Sequence, residues 1–147
     1  PRERSLEAWL DCLLVRWELL RPEARARRVL PPALGPRPVR PPEALEQAIL
    51  NLLNNAADVS PDAVELAVVD AAGLRLEVCD RGPGFTPEAA ARAGRERYSE
   101  KDGRGLGVGL TLTHSTVESL GGTVEVTPRA GGGSVVAVIL PWERLTA

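Results

Sequence analysis

The residues best suited to chemistry lie between Asp80 and Leu110. The run Asp80-Arg81-Gly82-Pro83-Gly84-Phe85 opens this stretch, and Gly103-Arg104-Gly105-Leu106-Gly107-Val108-Gly109-Leu110 closes it. Between them is a polar, basic segment without a hydrophobic period. Glycine lets backbone N–H groups approach an anion closely, and a helix starting just afterwards points the positive end of its dipole the same way. Two such clusters, one after an apolar strand and one before an apolar helical run, have the layout of a phosphate-handling site under a movable cover. Arg95, Arg97, Lys101 and Arg104 give that cover its charge. Read blandly they are a solvated, flexible loop, which a mobile cover also requires.

A second set of polar groups comes from a helix expected to begin at Glu43. Leu45, Ala48, Ile49, Leu52 and Ala56 line one side, while Gln47, Asn51, Asn54, Asn55 and Asp58 gather on the other. Asparagine is a poor helix former, so a stripe of three Asn and one Asp costs helix stability. A merely polar surface is one reading; amides that meet a ligand is the sharper one. Asn55 could offer a neutral carbonyl oxygen to Mg²⁺, which prefers oxygen ligands and keeps waters and phosphates around it. Asp80 ends a strand, where it could cap a turn or accept a hydrogen bond from the exocyclic amine of a base. His114, the only histidine, has no carboxylate at i+1 to act with it and reads as a partly exposed structural residue.

The elements that position these groups follow from periodicity. Ser5 is a plausible N-cap for a helix in which Leu6, Leu10, Leu13, Trp17 and Leu20 form one face, and Pro22 stops it. Trp9 and Trp17 are expected to pack against the sheet. Ala24–Leu30 is expected as an edge strand, and Pro31 to Pro42 as a stiff proline-rich connection. Val64–Val69 and Leu74–Cys79 alternate about the turn Asp70-Ala71-Ala72-Gly73, which predicts a hairpin. Glu88–Gly94 is expected to be a short helical piece. A helix follows the second glycine cluster and ends at Gly121-Gly122. Thr123–Thr127 and Ser134–Leu140 are the last two strands; Val135–Leu140 is apolar on both faces, as a central strand should be.

Composition bounds the answer. A chain of 147 residues fits one domain with a real core, and 44% hydrophobic with 26% charged residues is a soluble, globular balance. A net charge of −2 gives no basic field for nucleic acid. Cys12 and Cys79 have no ligand-like spacing, which argues against a disulfide framework or a zinc site and for a reducing compartment. No apolar run reaches membrane-spanning length. The chain contains no Met and starts at Pro1, so a fragment of a longer protein is expected.

Taken together, these residues resemble the ATP-binding catalytic domain of sensor histidine kinases, within the GHKL superfamily that includes gyrase, MutL and the heat-shock chaperones. The resemblance runs from about Leu6 to Leu140, with four motifs in order. Asn51-Leu52-Leu53-Asn54-Asn55-Ala56 looks like the N box. Asp80–Phe85 resembles the first G box, Gly103–Leu110 the second, and Gly131-Gly132-Gly133-Ser134 the third. Trp17, Arg21-Pro22 and Asn54-Asn55-Ala56-Ala57-Asp58 also look like the redox-responsive RegB/PrrB branch.

The resemblance implies a two-layer α/β sandwich, the Bergerat ATP-binding fold, with a mixed sheet, helices on one face and a short ATP lid. It implies that Asp80 reads adenine with Ser134 nearby, that Asn55 holds Mg²⁺, and that Asn51 faces phosphate or metal, with Asp58 in the same stripe. Gly82 and Gly84 would shape the adenine turn; Gly105, Gly107, Val108, Gly109 and Leu110 would cradle phosphate and ribose; Arg97 and Lys101 would reach the γ-phosphate. ATP-hydrolysing relatives carry a glutamate at position 51. Asn51 cannot act as a general base, because a neutral amide accepts no proton at pH 7. No catalytic side chain is therefore assigned.

The implied enzyme is a protein histidine kinase whose phosphoacceptor belongs to a separate dimerisation domain, with a response regulator downstream. This piece would be a cytoplasmic monomer without membrane contact. The family's phenylalanine-rich lid motif appears here only as Arg97-Tyr98-Ser99-Glu100-Lys101. A Rossmann site lacks its apolar strand before Gly103, and no G-x-x-x-x-G-K-[ST] run makes a P-loop. An anti-sigma-factor-type serine kinase and a non-catalytic nucleotide-sensing module are the alternatives.

Overall fold

A computed structural model describes residues 3–83 and 106–146, with the backbone alone for 106–110. The expected helical piece Glu88–Gly94 and the site residues Gly84, Arg97, Lys101 and Gly105 lie outside the described residues.

Helix α1 spans Leu6–Leu20. Ser5 caps it as expected, its hydroxyl accepting from the Ala8 N–H at 3.1 Å. Its buried face is Leu6, Trp9, Leu10, Leu13, Leu14 and Trp17, and burying each leucine stabilises by about 1.5–3 kcal/mol relative to exposure. Helix α2 spans Glu43–Val59 and buries Leu45, Ala48, Ile49, Leu52 and Ala56, the predicted apolar side, together with Leu50, Leu53 and Ala57.

The main sheet has five strands. In chain order they are β2 (Ala26–Val29), β4 (Val64–Asp70), β5 (Leu74–Cys79), β6 (Thr123–Pro128) and β7 (Ser134–Leu140). They lie side by side as β2-β4-β5-β7-β6. β2 runs parallel to β4 and all other pairs are antiparallel, so the sheet is mixed. The hairpin β4–β5 closes around Ala71-Ala72-Gly73, with Asp70 opposite Leu74. Alternate residues Leu66, Val68, Leu74, Leu76, Val78, Val136, Val138 and Leu140 join α1, α2 and Val117 in one core. Val117 comes from helix α3, Leu106–Ser119, which stops where Gly121 takes φ 81° and Gly122 N–H returns to the Val117 carbonyl at 2.9 Å. The helices thus cover one face of a mixed sheet, as the resemblance implied.

Two expectations need correcting. The Pro31–Pro42 stretch is more than a connection: Pro38–Val39 forms strand β3, paired antiparallel with β1 (Arg4–Ser5). Leu34 and Val39 are buried in the core, so this segment closes the molecule over α1. Leu20, expected on the buried face of α1, is exposed, and that face ends at Trp17, which shares the core with the sheet while its indole N–H donates to Asn54 Oδ1 at 2.9 Å. A further short 3₁₀ turn, Trp142–Arg144, ends the fold; the Arg37 guanidinium sits 3.8 Å above the Trp142 ring. No helix among the described residues is long and apolar enough to cross a membrane.

Candidate functional site

β5 and β7 carry two of the predicted site residues to one corner of the sheet. The ladder ends with Cys79 opposite Val135, and the next pair out is Asp80 and Ser134. Asp80 N–H donates to the Ser134 carbonyl at 3.0 Å. Ser134 N–H donates to Asp80 Oδ1 at 3.3 Å, and Gly82 N–H donates to the same oxygen at 2.8 Å. Both bonds fall on Oδ1, which pins the carboxylate while leaving Oδ2 free of protein donors among the described residues. Burial pushes the Asp80 carboxyl above the ordinary aspartate range; the Gly82 and Ser134 N–H groups and the Arg129 charge oppose that push without cancelling it. The site thus holds a carboxylate whose charge is under-solvated, a good acceptor for a ligand N–H.

The glycines around Asp80 are required by backbone conformation or by contact. Gly131, Gly132 and Gly133 take φ of 84°, 113° and 104°, and a Cβ at Gly133 would stand 1.9 Å from the Asp80 carbonyl oxygen. No other residue lets the β6–β7 turn close so tightly on Asp80. A Cβ at Gly82 would stand 2.6 Å from Val59 Cγ2. The Asp80–Pro83 loop therefore rests on the last turn of α2, where Ser60 Oγ accepts from Arg81 N–H at 3.0 Å. Sequence reasoning missed this bolt. A serine before Pro61 looks like any helix-ending residue, and only the fold brings Arg81 to it.

α2 divides its polar stripe between two neighbours. Asn54 and Asp58 turn to α1: Asn54 Oδ1 accepts from Trp17, the Asn54 carbonyl accepts from Arg21 Nη1 at 3.1 Å, and Asp58 Oδ1 pairs with the same Nη1 at 2.9 Å. Asp58, predicted with the ligand residues, is thus engaged with α1 rather than brought to Asp80. Asn55 lies on another row, one turn before Val59 and hence toward the Asp80 loop. Its Nδ2 is buried without a hydrogen-bond partner among the described residues. Leaving a buried N–H donor unpaired costs about 1–3 kcal/mol, which an acceptor such as a phosphate oxygen would relieve. Asn51, half-buried, stands one further turn back.

α3 contributes its N-terminus. Gly107, Val108, Gly109 and Leu110 are already helical; Gly107 and Val108 lie in the first turn, whose N–H groups lack intrahelical acceptors, while the Leu110 N–H reaches back to the Leu106 carbonyl. Deeper in α3, Thr113 is 1% exposed and its hydroxyl is unpartnered. His114 Nδ1 lies 3.2 Å from Glu118 Oε1 one turn on, a structural pairing in keeping with the role expected for it.

Comparison with known proteins gives the family and the fold. Residues 41–144 match the family described as histidine kinase-, DNA gyrase B- and HSP90-like ATPase, and the chain belongs to that family. It is 36% identical over 106 residues to the histidine protein kinase DivJ of Caulobacter vibrioides, a match covering 67% of this chain and 18% of DivJ. The catalytic domain of histidine kinase ThkA has the same fold, with a TM-score of 0.78 at 18% identity and 97% of each chain covered. Full-length ShkA, solved in complex with AMPPNP, gives a TM-score of 0.68 at 27% identity over 94% of this chain and 30% of its own. The chain therefore spans less than a third of either full-length relative.

Proposed function

We propose that this domain binds Mg·ATP at the corner between α2, the Asp80 loop and the N-terminus of α3. From there it would present the γ-phosphoryl group to a histidine on a separate dimerisation domain in two-component signalling, on the cytoplasmic side, with a response regulator as the next acceptor. The observation that carries the reading is the pinned, under-solvated Asp80 carboxylate, with one oxygen free of protein donors among the described residues and Asn55 on the row of α2 that leads to the same loop.

Asp80 is suited to accept the adenine amine through its free oxygen, with Ser134 alongside. The donor set also fits Mg²⁺. No group of three or more His, Cys, Asp or Glu side chains among the described residues could cage a metal, so a cation held here relies on one amide oxygen, that of Asn55, plus nucleotide oxygens and water. When bound, Mg²⁺ supplies charge neutralisation on the phosphates. Asn51 is neutral and takes no proton, which fits transfer to a protein rather than to water. Gly107 and Val108 offer first-turn backbone N–H groups to phosphate; Gly84, Arg97, Lys101, Gly105, Gly109 and Leu110 are assigned to the same nucleotide from the motif resemblance alone. The chain's contribution is then positioning and electrostatics, with the nucleophile supplied elsewhere.

The test mixes the chain with γ-labelled ATP and a separately made histidine-containing helical hairpin. Acid-labile label on the hairpin histidine is expected. Acid-stable label on a partner serine would point to the serine-kinase alternative, and nucleotide binding with no transfer to a sensing module.

A further inference from the structure

The end of the sheet behind Asp80 carries a second polar cleft, on the side away from α2. It has a volume of about 350 Å³ and is lined by Arg25, Arg27, Arg81 and Arg129 with Asp62 and Glu65. Four guanidiniums face two carboxylates, so the cleft holds an excess of two positive charges in a chain whose net charge is −2.

Three of these arginines are held in place chiefly by backbone carbonyls. Arg25 Nη1 donates to the Pro22 and Ala24 carbonyls at 2.9 and 2.8 Å. Arg81 Nη1 donates to those of Ala130 and Gly132 at 2.6 and 2.7 Å. Arg129 Nη1 donates to Ala63 at 3.2 Å, and its Nη2 stands 3.7 Å from Glu65. A carbonyl fixes a guanidinium without neutralising it, and each retains further N–H donors in a rigid fork. Side-chain entropy is thereby lost during folding and not on binding, which is how a preorganised anion site is made.

We propose that this cleft is a binding site for a small, multiply charged oxyanion of the phosphate or dicarboxylate class, separate from the nucleotide corner. Guanidinium forks match both ligand types in bidentate fashion, and the volume is at the lower end of the range for small-molecule sites.

Amide-resolved NMR of the whole chain, at constant ionic strength in chloride, provides the test. Pyrophosphate and succinate are the two probes, each titrated with the nucleotide corner saturated by AMPPNP and again without nucleotide. The expected result is a saturable shift of the Ala26, Arg27, Ala63, Glu65 and Arg129 amides that survives AMPPNP. The probe that binds more tightly identifies the class. Arg27 is exposed and its side chain makes no hydrogen bond or ion pair among the described residues. Arg27→Gln avoids setting a second carboxylate opposite Glu65 in the ladder, so it should keep the native spectrum while weakening the probe several-fold. Arg25→Gln serves as a second variant with a smaller loss in the same direction. The proposal is overturned if neither probe gives a saturable shift at these amides, if AMPPNP abolishes it, or if Arg27→Gln leaves the affinity unchanged. Failure of AMPPNP to bind would count against the nucleotide reading alone, since the titration without nucleotide still reports on the cleft.

Discussion

Asn54 and Asn55 are adjacent, chemically identical and about 100° apart around one helix, yet the fold treats them in opposite ways. Asn54 is engaged: its side-chain oxygen accepts from Trp17 and its carbonyl from Arg21, so it joins α2 to α1. Asn55 has a buried amide nitrogen with no partner among the described residues. One residue joins two helices, while the next keeps an N–H donor that an acceptor such as a phosphate oxygen would satisfy. The difference teaches that residue type and helical face do not by themselves mark a binding residue. Hydrogen-bond partners separate the two residues where the helical wheel does not.

The comparison can be broken by mutation. The largest effect is expected from Asn55→Ala, which should weaken Mg·AMPPNP about a hundredfold, the scale of one lost charge-assisted interaction. Metal-free AMPPNP should change only a few-fold, as read by displacement of a fluorescent nucleotide, and the melting temperature should hold. Equal losses with and without Mg²⁺ would remove Asn55 as the metal ligand.

Asp80→Asn comes next, weakening adenine nucleotides about ten- to a hundredfold, because the amide can present a donor where the base also donates. It should not weaken the fold. Burial raises the folded-state pKa of Asp80 above its unfolded value, so its contribution to stability is fully present below the unfolded pKa and is lost as pH rises through the folded one. At neutral pH the charged form is a burden, and the asparagine variant should melt at the same temperature or higher. For the same reason, nucleotide affinity of the unmodified chain should begin to fall on acidification at a higher pH than an ordinary aspartate would give. A calorimetric scan and a pH series of binding isotherms check the two halves.

Asn54→Ala should invert the pattern of Asn55→Ala. It strands the Trp17 indole N–H and should destabilise the chain by about 1–3 kcal/mol in urea unfolding, with nucleotide affinity within about twofold. Asp58→Ala is the smallest, at or below about 1 kcal/mol, since its partner Arg21 is part-exposed and the carboxylate is more exposed still. A large loss of nucleotide affinity in Asp58→Ala would return that residue to the site.

Much of this was legible in the order of residues, for physical reasons. The Leu74–Cys79 and Ser134–Leu140 strands alternate or are apolar throughout, and Pro22, Gly73 and Gly121 punctuate the elements where backbone chemistry demands it. The closeness of Asp80 and Ser134 followed from motif resemblance and is realised as one rung of a ladder. The β1–β3 ribbon was not legible. Its strands are two residues each, separated by more than thirty positions, and two of the residues flanking Val39 are prolines or arginines that carry no period. Nor could a helical wheel assign Asn54 and Asp58 to α1. It gives the direction of a side chain but not the neighbour waiting there, and Arg21 lies beyond the last apolar residue of α1.

The central claim is that Asn55 and the pinned Asp80 carboxylate serve one adenine nucleotide with Mg²⁺. Isothermal titration of the 147-residue chain with AMPPNP and with GMPPNP, each with and without magnesium, tests it most directly. The account predicts one saturable site for AMPPNP that tightens when magnesium is added, and little or no binding of GMPPNP. Equal affinity for the two bases, or an AMPPNP isotherm indifferent to magnesium, would contradict it.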